Sequence, residues 1–140
     1  MSALRQKTGT AISLVLEIAL SSPTAPITAK TLVAPRGLQP RSLESLLQAL
    51  VYMGVLKGCR GPRGGYMLAR HAREITVADV FRAAKIEEPS EPTPDSPLLN
   101  GVVVPALAGA EHAFSAELSR ITIEDLVLLA KEKDRVSGES

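Results

Sequence analysis

The residues best equipped for chemistry in this chain are cations and small hydrogen-bonding side chains, concentrated in two short stretches. Wound at about 100° per residue, the segment from Pro40 to Gly54 places Leu43, Leu46, Leu47 and Leu50 on one face. Arg41, Glu44, Ser45 and Gln48 fall on the opposite face. A helix with a leucine stripe inside and a mixed donor and acceptor stripe outside is what reading base edges in a major groove requires. Taken alone, the same pattern fits an ordinary surface helix. In the second stretch Lys57, Arg60 and Arg63 surround a Gly61-Pro62-Arg63-Gly64-Gly65 turn. A narrow cationic tip of this kind suits a minor groove, where negative potential favours arginine. Turn geometry explains the glycines but not the arginines.

Other chemistries find little support. His71 and His112 lie far apart in sequence, and Cys59 is the single cysteine among 140 residues. No glycine-rich phosphate loop, nucleophile elbow or metal-spaced His/Cys set is present, so an enzyme is not expected. One cysteine excludes an intrachain disulfide framework and fits a reducing compartment. A redox switch through Cys59 is a subsidiary reading, since a single small residue on a strand more often serves packing. The apolar stretches are broken by Gly, Pro or charge well short of the roughly 20 residues a membrane span needs. The N-terminus runs into an amphipathic segment rather than a signal-peptide core. The expectation is a cytoplasmic chain with no membrane association.

The elements that would position the two stretches follow from periodicity and punctuation. Ile12, Val15, Leu16, Ala19 and Leu20 predict a first helix over about Lys7–Leu20, stopped at Ser21-Ser22-Pro23. Thr28 is a good N-cap for a second helix, with Ile27 and Leu32 placed as a hydrophobic staple. Pro35 ends that helix, and Arg36-Gly37-Leu38 makes a turn. Pro40 suits the first position of a third helix, which runs to Gly54. Val55–Arg60 and Tyr66–Leu68 read as the strands of a hairpin. Thr76-Val77-Ala78-Asp79 has the signature of a helix start, and Thr122-Ile123-Glu124-Asp125 repeats it. Between them lies a segment whose Glu87, Glu88, Glu91 and Asp95 alternate with Pro89, Pro92, Pro94 and Pro97, read as a mobile acidic linker. Val103, Leu107, Ala110, Phe114, Leu118 and Ile121 then recur at spacings of four and three, a seam suited either to the chain's own core or to a partner helix. Pro105 fits only near the first turn of that helix. A last helix carries Leu126, Leu128 and Leu129, and the polar tail from Lys131 to Ser140 is expected to fray. The fold class expected is mainly α with a small β-hairpin wing. The divisions are residues 1–85 as a winged helix-turn-helix, 86–101 as a linker, and 102–140 as a dimerisation helix with a closing helix.

Charge separates along the same lines. Residues 1–85 carry twelve Lys/Arg against four acids, a net +8, whereas residues 86–140 carry a net −7. A basic half suited to a polyanion, with an acidic half held away from it, favours a nucleic-acid partner over a protein-interaction module of the same shape.

The most specific run is Arg60-Gly61-Pro62-Arg63-Gly64-Gly65-Tyr66-Met67-Leu68-Ala69, followed by Glu74-Ile75-Thr76-Val77-Ala78-Asp79-Val80. Together with Leu43–Leu50 and the closing Ile121-Thr122-Ile123-Glu124-Asp125-Leu126, it resembles the Rrf2 family of bacterial transcription regulators. That family includes the iron–sulfur cluster, nitric-oxide and cysteine-metabolism regulators. The resemblance covers nearly the whole chain. It implies a homodimer of winged helix-turn-helix units, braced by the long helix and bound to a roughly two-fold site in double-stranded DNA, most simply as a repressor. By position it assigns base or phosphate contacts to Arg41, Ser42, Glu44 and Ser45, to which the helical wheel adds Gln48. The wing contributes Arg60, to which the cationic hairpin adds Lys57, and Arg63 stands where the family usually has glycine. Thr28 and Lys30 are placed to meet phosphate at the second helix. Cluster-binding members carry three cysteines between the helix after the wing and the long helix, but residues 86–101 here contain none. No cofactor is therefore expected, because clusters need several thiolate ligands. A small-molecule effector in the dimer groove and a protein partner remain alternative signals. Pro35 and Gln39-Pro40 depart from the family pattern around the helix-turn-helix turn.

Overall fold

The computed structural model describes residues 3–21, 25–33, 40–87 and 95–138. Helix α1 (Ala3–Leu20) begins four residues earlier than its apolar pattern announced. It buries Ala11, Leu14, Val15 and Ile18, the i, i+3, i+4, i+7 stripe of a core-facing helix. Helix α2 (Ala29–Val33) follows Thr28, whose hydroxyl accepts from the Thr31 amide at 3.3 Å as the N-cap reading required. The predicted stop at Pro35 and the turn at Arg36-Gly37-Leu38 lie outside the described residues.

Helix α3 (Pro40–Tyr52) starts at Pro40 and buries Leu43, Leu46, Leu47 and Leu50. At roughly 1.5–3 kcal/mol for each fully buried leucine, this stripe is a principal source of the domain's stability. Gly54 is not the last helical residue but the cap. It takes φ 76°, the Gly54 amide donates to the Val51 carbonyl at 3.0 Å, and the Val55 amide donates to the Leu50 carbonyl at 2.9 Å. This is a Schellman ending, completed by the burial of both Leu50 and Val55.

The hairpin forms from β1 (Leu56–Cys59) and β2 (Gly65–Leu68), antiparallel, with Leu56 opposite Leu68 and Cys59 opposite Gly65. Its strands are slightly shorter at the front, and begin one residue earlier at the return, than the expected 55–60 and 66–68. After a 3₁₀ turn at Ala72–Glu74 come α4 (Val77–Glu87), α5 (Val104–Leu118) and α6 (Ile123–Gly138). Helix α1 packs against α4 and α6, α3 against α4 and β1, and α4 against α5.

Both predicted helix starts are reciprocal capping boxes. In the first, Asp79 accepts from the Thr76 amide at 3.0 Å, and Thr76 Oγ1 accepts from the Asp79 amide at 3.2 Å. In the second, Asp125 accepts from the Thr122 amide at 2.9 Å, and Thr122 Oγ1 accepts from the Asp125 amide at 3.1 Å. The two boxes lie side by side. The Val77 amide donates to the Ile121 carbonyl and the Ile123 amide to the Ile75 carbonyl, both at 2.8 Å. The last helix is thereby stitched to the root of α4, and Ile123 is fully buried there.

The C-terminal half departs from the sequence reading in three places. Helix α4 continues through Glu87 and helical backbone resumes at Pro97, so the ends of the expected 86–101 linker are helical; residues 88–94 lie outside the described residues. Pro105 falls in the first turn of α5, as expected, but the helical run it sits in does not begin there. That helical run starts eight residues earlier, capped by Ser96 Oγ on the Leu99 amide at 3.2 Å. A π turn at Leu99–Val103, closed by the Val104 amide on the Leu99 carbonyl, precedes the proline. The wider register falls where a proline, lacking an amide hydrogen and crowding the carbonyl four residues back, would strain an α-helix. Finally, α6 is helical to Gly138 where fraying from Lys131 was expected.

Candidate nucleic-acid interface

The site is built on three elements that the core holds together. Leucines 43, 46, 47 and 50 seat α3, so Arg41, Ser42, Glu44, Ser45 and Gln48 are all exposed on its outer side, as the helical wheel required. Helix α2 packs on α3, with Leu32 fully buried and Thr28 and Lys30 exposed. The hairpin completes the set, its Lys57, Arg60 and Arg63 exposed. All ten residues expected to meet DNA therefore lie on the surface of the helix-turn-helix and wing.

What joins the wing to the helices is a contact that the sequence did not announce. Ile27, immediately before the α2 N-cap, pairs with Tyr66 of β2 as an isolated antiparallel bridge. The Ile27 amide donates to the Tyr66 carbonyl at 3.0 Å, and the Tyr66 amide donates to the Ile27 carbonyl at 2.8 Å. Tyr66 lies opposite Gly58 on its other edge, so Thr28 and Lys30 start beside β2, across it from the strand that carries Lys57. Gly65 makes this approach possible. It has φ 155°, and a Cβ there would collide with the Ile27 carbonyl and come within 2.9 Å of the Thr28 nitrogen. At the tip, the Gly64 amide donates to the Gly61 carbonyl at 2.9 Å, closing a turn with Pro62 and Arg63 in its central positions.

Ion pairing divides the cations of the molecule into two populations. Arg70, Arg82, Lys85 and Arg120 are paired: the first two with Asp79 at 3.4 and 3.0 Å, Lys85 with Glu111, and Arg120 with Glu117 at 3.2 Å. Lys30, Arg41, Lys57, Arg60 and Arg63 have no carboxylate within ion-pair distance among the described residues. The four paired cations lie on or beside α4 and α5; the five on α2, α3 and the hairpin are unpaired among the described residues, as are Arg73 and, on α6, Lys131, Lys133 and Arg135. Unneutralised cations on protruding elements are what phosphate contacts draw on.

Arg70 is a structural residue that sequence reading passed over. Its Nε donates to the Gly54 carbonyl at 3.1 Å, its Nη1 to the Glu74 carbonyl at 2.9 Å, and its Nη2 pairs with Asp79. Only a fold that brings the end of α3 beside the start of α4 reveals this role, so no local signal was available. His71 is exposed and caps the 3₁₀ turn, its Nδ1 accepting from the Arg73 amide at 3.1 Å. Glu111 of α5 pairs with Lys85 of α4.

The long-helix seam divides. Phe114 meets Phe81 of α4 edge-to-face, with centroids 5.3 Å apart and planes at 81°, and Leu118 is half-buried. Val103, Leu107, Ala110 and Ile121 are exposed, Leu107 by 62%. The lower seam is thus spent partly on the chain's own body, while the upper seam projects uncovered, with Leu98, Val102 and Val104 also exposed beside it.

Among the described residues no helix is long and apolar enough to cross a membrane, and no three His, Cys, Asp or Glu residues are grouped to hold a metal ion. Cys59 is half-buried on β1.

Helix, helix-turn-helix, two-stranded wing and a projecting helix define a winged helix-turn-helix protein. Residues 4–128 match the model of the Rrf2 family, described as iron-dependent transcriptional regulators, and the chain belongs to that family. It is similar to protein rrf2 of Nitratidesulfovibrio vulgaris, with 30% identity over 119 residues covering 81% of this chain and 79% of the relative. It is also similar to the HTH-type transcriptional regulator IscR of Klebsiella pneumoniae, 34% identical over 73 residues. That match takes in 52% of this chain and 45% of IscR, so the similarity spans about half of the curated IscR relatives. Among solved structures, T. potens IscR superposes with a TM-score of 0.69 at 27% identity, covering 95% of this chain and 89% of that one.

The family's iron dependence can be tested against the donors available here. Neither the segment joining α4 to α5 nor the helices themselves carry a cysteine, and the one thiol sits on the wing. Such a donor set does not fit an iron–sulfur cluster, which takes thiolates as most of its ligands.

Proposed function

We propose that the chain is a cytoplasmic, homodimeric, sequence-specific DNA-binding repressor that works without an iron–sulfur cluster. The observation that carries this reading is the division of the cations. The five on α2, α3 and the wing stand exposed with no carboxylate partner among the described residues, while Arg70, Arg82, Lys85 and Arg120 are paired. In this reading α3 lies in the major groove. Arg41 donates to guanine or phosphate, Glu44 accepts from a cytosine amino group, and Ser42, Ser45 and Gln48 supply further polar contacts. The wing follows the backbone into the adjacent minor groove with Lys57, Arg60 and Arg63, while Thr28 and Lys30 meet phosphate. The uncovered upper seam of the long helix, through Val103, Leu107 and Ala110, pairs with its counterpart in a second copy. Two winged units are then presented to two half-sites. No chemical transformation is assigned to the protein.

The testing experiment is fluorescence anisotropy of the purified chain on the DNA upstream of its own coding region, across several salt concentrations. Tight binding that weakens steeply with salt and resists random competitor DNA supports the reading. Weak binding, indifferent to sequence and salt, would favour a winged helix given over to protein partners. Anaerobic reconstitution with iron and sulfide checks the cluster-free part: no visible charge-transfer absorption is expected, and a stable chromophore would overturn it.

A further inference from the structure

Between α1, α4 and α5 lies a half-open cavity of about 230 Å³. Its walls are apolar, formed by Ile12, Val77, Phe81, Phe114 and Leu118, with the exposed backbone of Gly9 beside them. One polar group belongs to this lining. The hydroxyl oxygen of Thr8 is buried and has no hydrogen-bond partner among the described residues. Buried hydroxyls in folded proteins are almost always satisfied, so an orphan on a cavity wall signals a partner from outside the chain. Gly9, itself exposed, stands at the rim, where a Cβ would meet nothing within 4 Å.

Size and lining define what fits. An apolar cavity of roughly 150 Å³ lined by Leu, Ile and Phe accommodates benzene, and typical drug-sized pockets start near about 300 Å³. We propose that this cavity is a binding site for a neutral molecule of single-ring size carrying one hydrogen-bonding group, the phenol class, with the Thr8 hydroxyl as its polar contact. The apolar walls take the ring, and the orphan hydroxyl selects for the substituent. Phe114 and Leu118 belong to the helix that leaves the winged body, and Phe81 to the helix it leaves from. An occupant would therefore touch both sides of that junction. Only the idea that it then acts as an effector rests on the DNA-binding reading; the site does not.

The test uses the purified full chain without DNA, labelled at its isoleucine and leucine methyl groups, titrated separately with phenol and benzene and followed by NMR. Saturable shifts centred on the Ile12 and Leu118 methyls are expected with both. Thr8→Val should weaken phenol by about three- to tenfold while leaving benzene within about twofold, as the loss of one hydrogen bond predicts. Gly9→Leu, which fills open space on a helix, should abolish both while leaving the far-UV spectrum unchanged. The proposal is overturned if neither probe saturates, if Thr8→Val weakens both alike, or if Gly9→Leu leaves binding intact. Because no DNA is present, its failure would leave the regulator reading standing.

Discussion

Ile27 and Tyr66 exchange both backbone hydrogen bonds, so the wing's second strand is fastened to the residue that precedes the N-cap of α2. Helix-turn-helix and wing are thereby one platform rather than two appendages, and its closeness depends on Gly65. Gly65→Ala is expected to destabilise the fold by about 2–3 kcal/mol, since it combines a positive φ with a backbone collision. Urea denaturation checks this; a midpoint within error of the parent would show that the bridge carries little.

The wing arginines make a different prediction. An Arg60→Ala/Arg63→Ala variant should fold normally, because both side chains are exposed and pair with no carboxylate among the described residues. Its affinity for the upstream DNA should fall at least about tenfold, and the salt slope should drop by about two. Glu44→Ala should instead lose little affinity and relax preference at one base pair. Anisotropy on a panel of single-base-substituted sites separates the two behaviours.

The two capping boxes offer an internal comparison. Asp125→Ala removes one box and should cost about 1 kcal/mol. Asp79→Ala removes the same box geometry together with the pairs to Arg70 and Arg82, its carboxylate being 21% exposed. It should cost measurably more than Asp125→Ala in the same thermal melt. Equal losses would mean that the arginines contribute nothing.

The divided seam separates assembly from stability. Leu107→Glu, on the uncovered part, should convert a dimer to a monomer in sedimentation velocity while leaving the melting temperature of the winged unit nearly unchanged. Phe114→Ala, which removes an edge-to-face partner of Phe81, should lower stability by about 1–3 kcal/mol. A Leu107→Glu protein that still sediments as a dimer would place the interface elsewhere.

Much of this architecture was legible from local chemistry. Thr76 and Asp79, or Thr122 and Asp125, declare a helix start within four residues, and the leucines of α3 declare its buried face by their spacing. The outward stripe from Arg41 to Gln48 follows directly. What escaped notice is non-local. Ile27 and Tyr66 form a bridge one residue long on each side, which leaves no alternation to detect. Arg70 is indistinguishable in sequence from the free cations around it, and only its placement beside Gly54, Glu74 and Asp79 marks it as structural. The helix seam showed a periodicity but not which neighbour would cover it. Phe114 turned to its own α4, and Leu107 was left bare. Pro105 marked the first turn of α5, but gave no sign of the π turn and helical residues that precede it.

Arg70 ties the turn that ends α3 to the 3₁₀ turn and capping box from which α4 departs. With the pair of backbone hydrogen bonds that set Thr76 beside Thr122, it joins the end of α3 to the starts of α4 and α6. In a paired molecule that reads DNA as proposed, the two α3 helices would then behave like the jaws of a caliper locked at one opening. Operators whose half-sites stand at another distance would be refused on spacing alone, whatever bases they display.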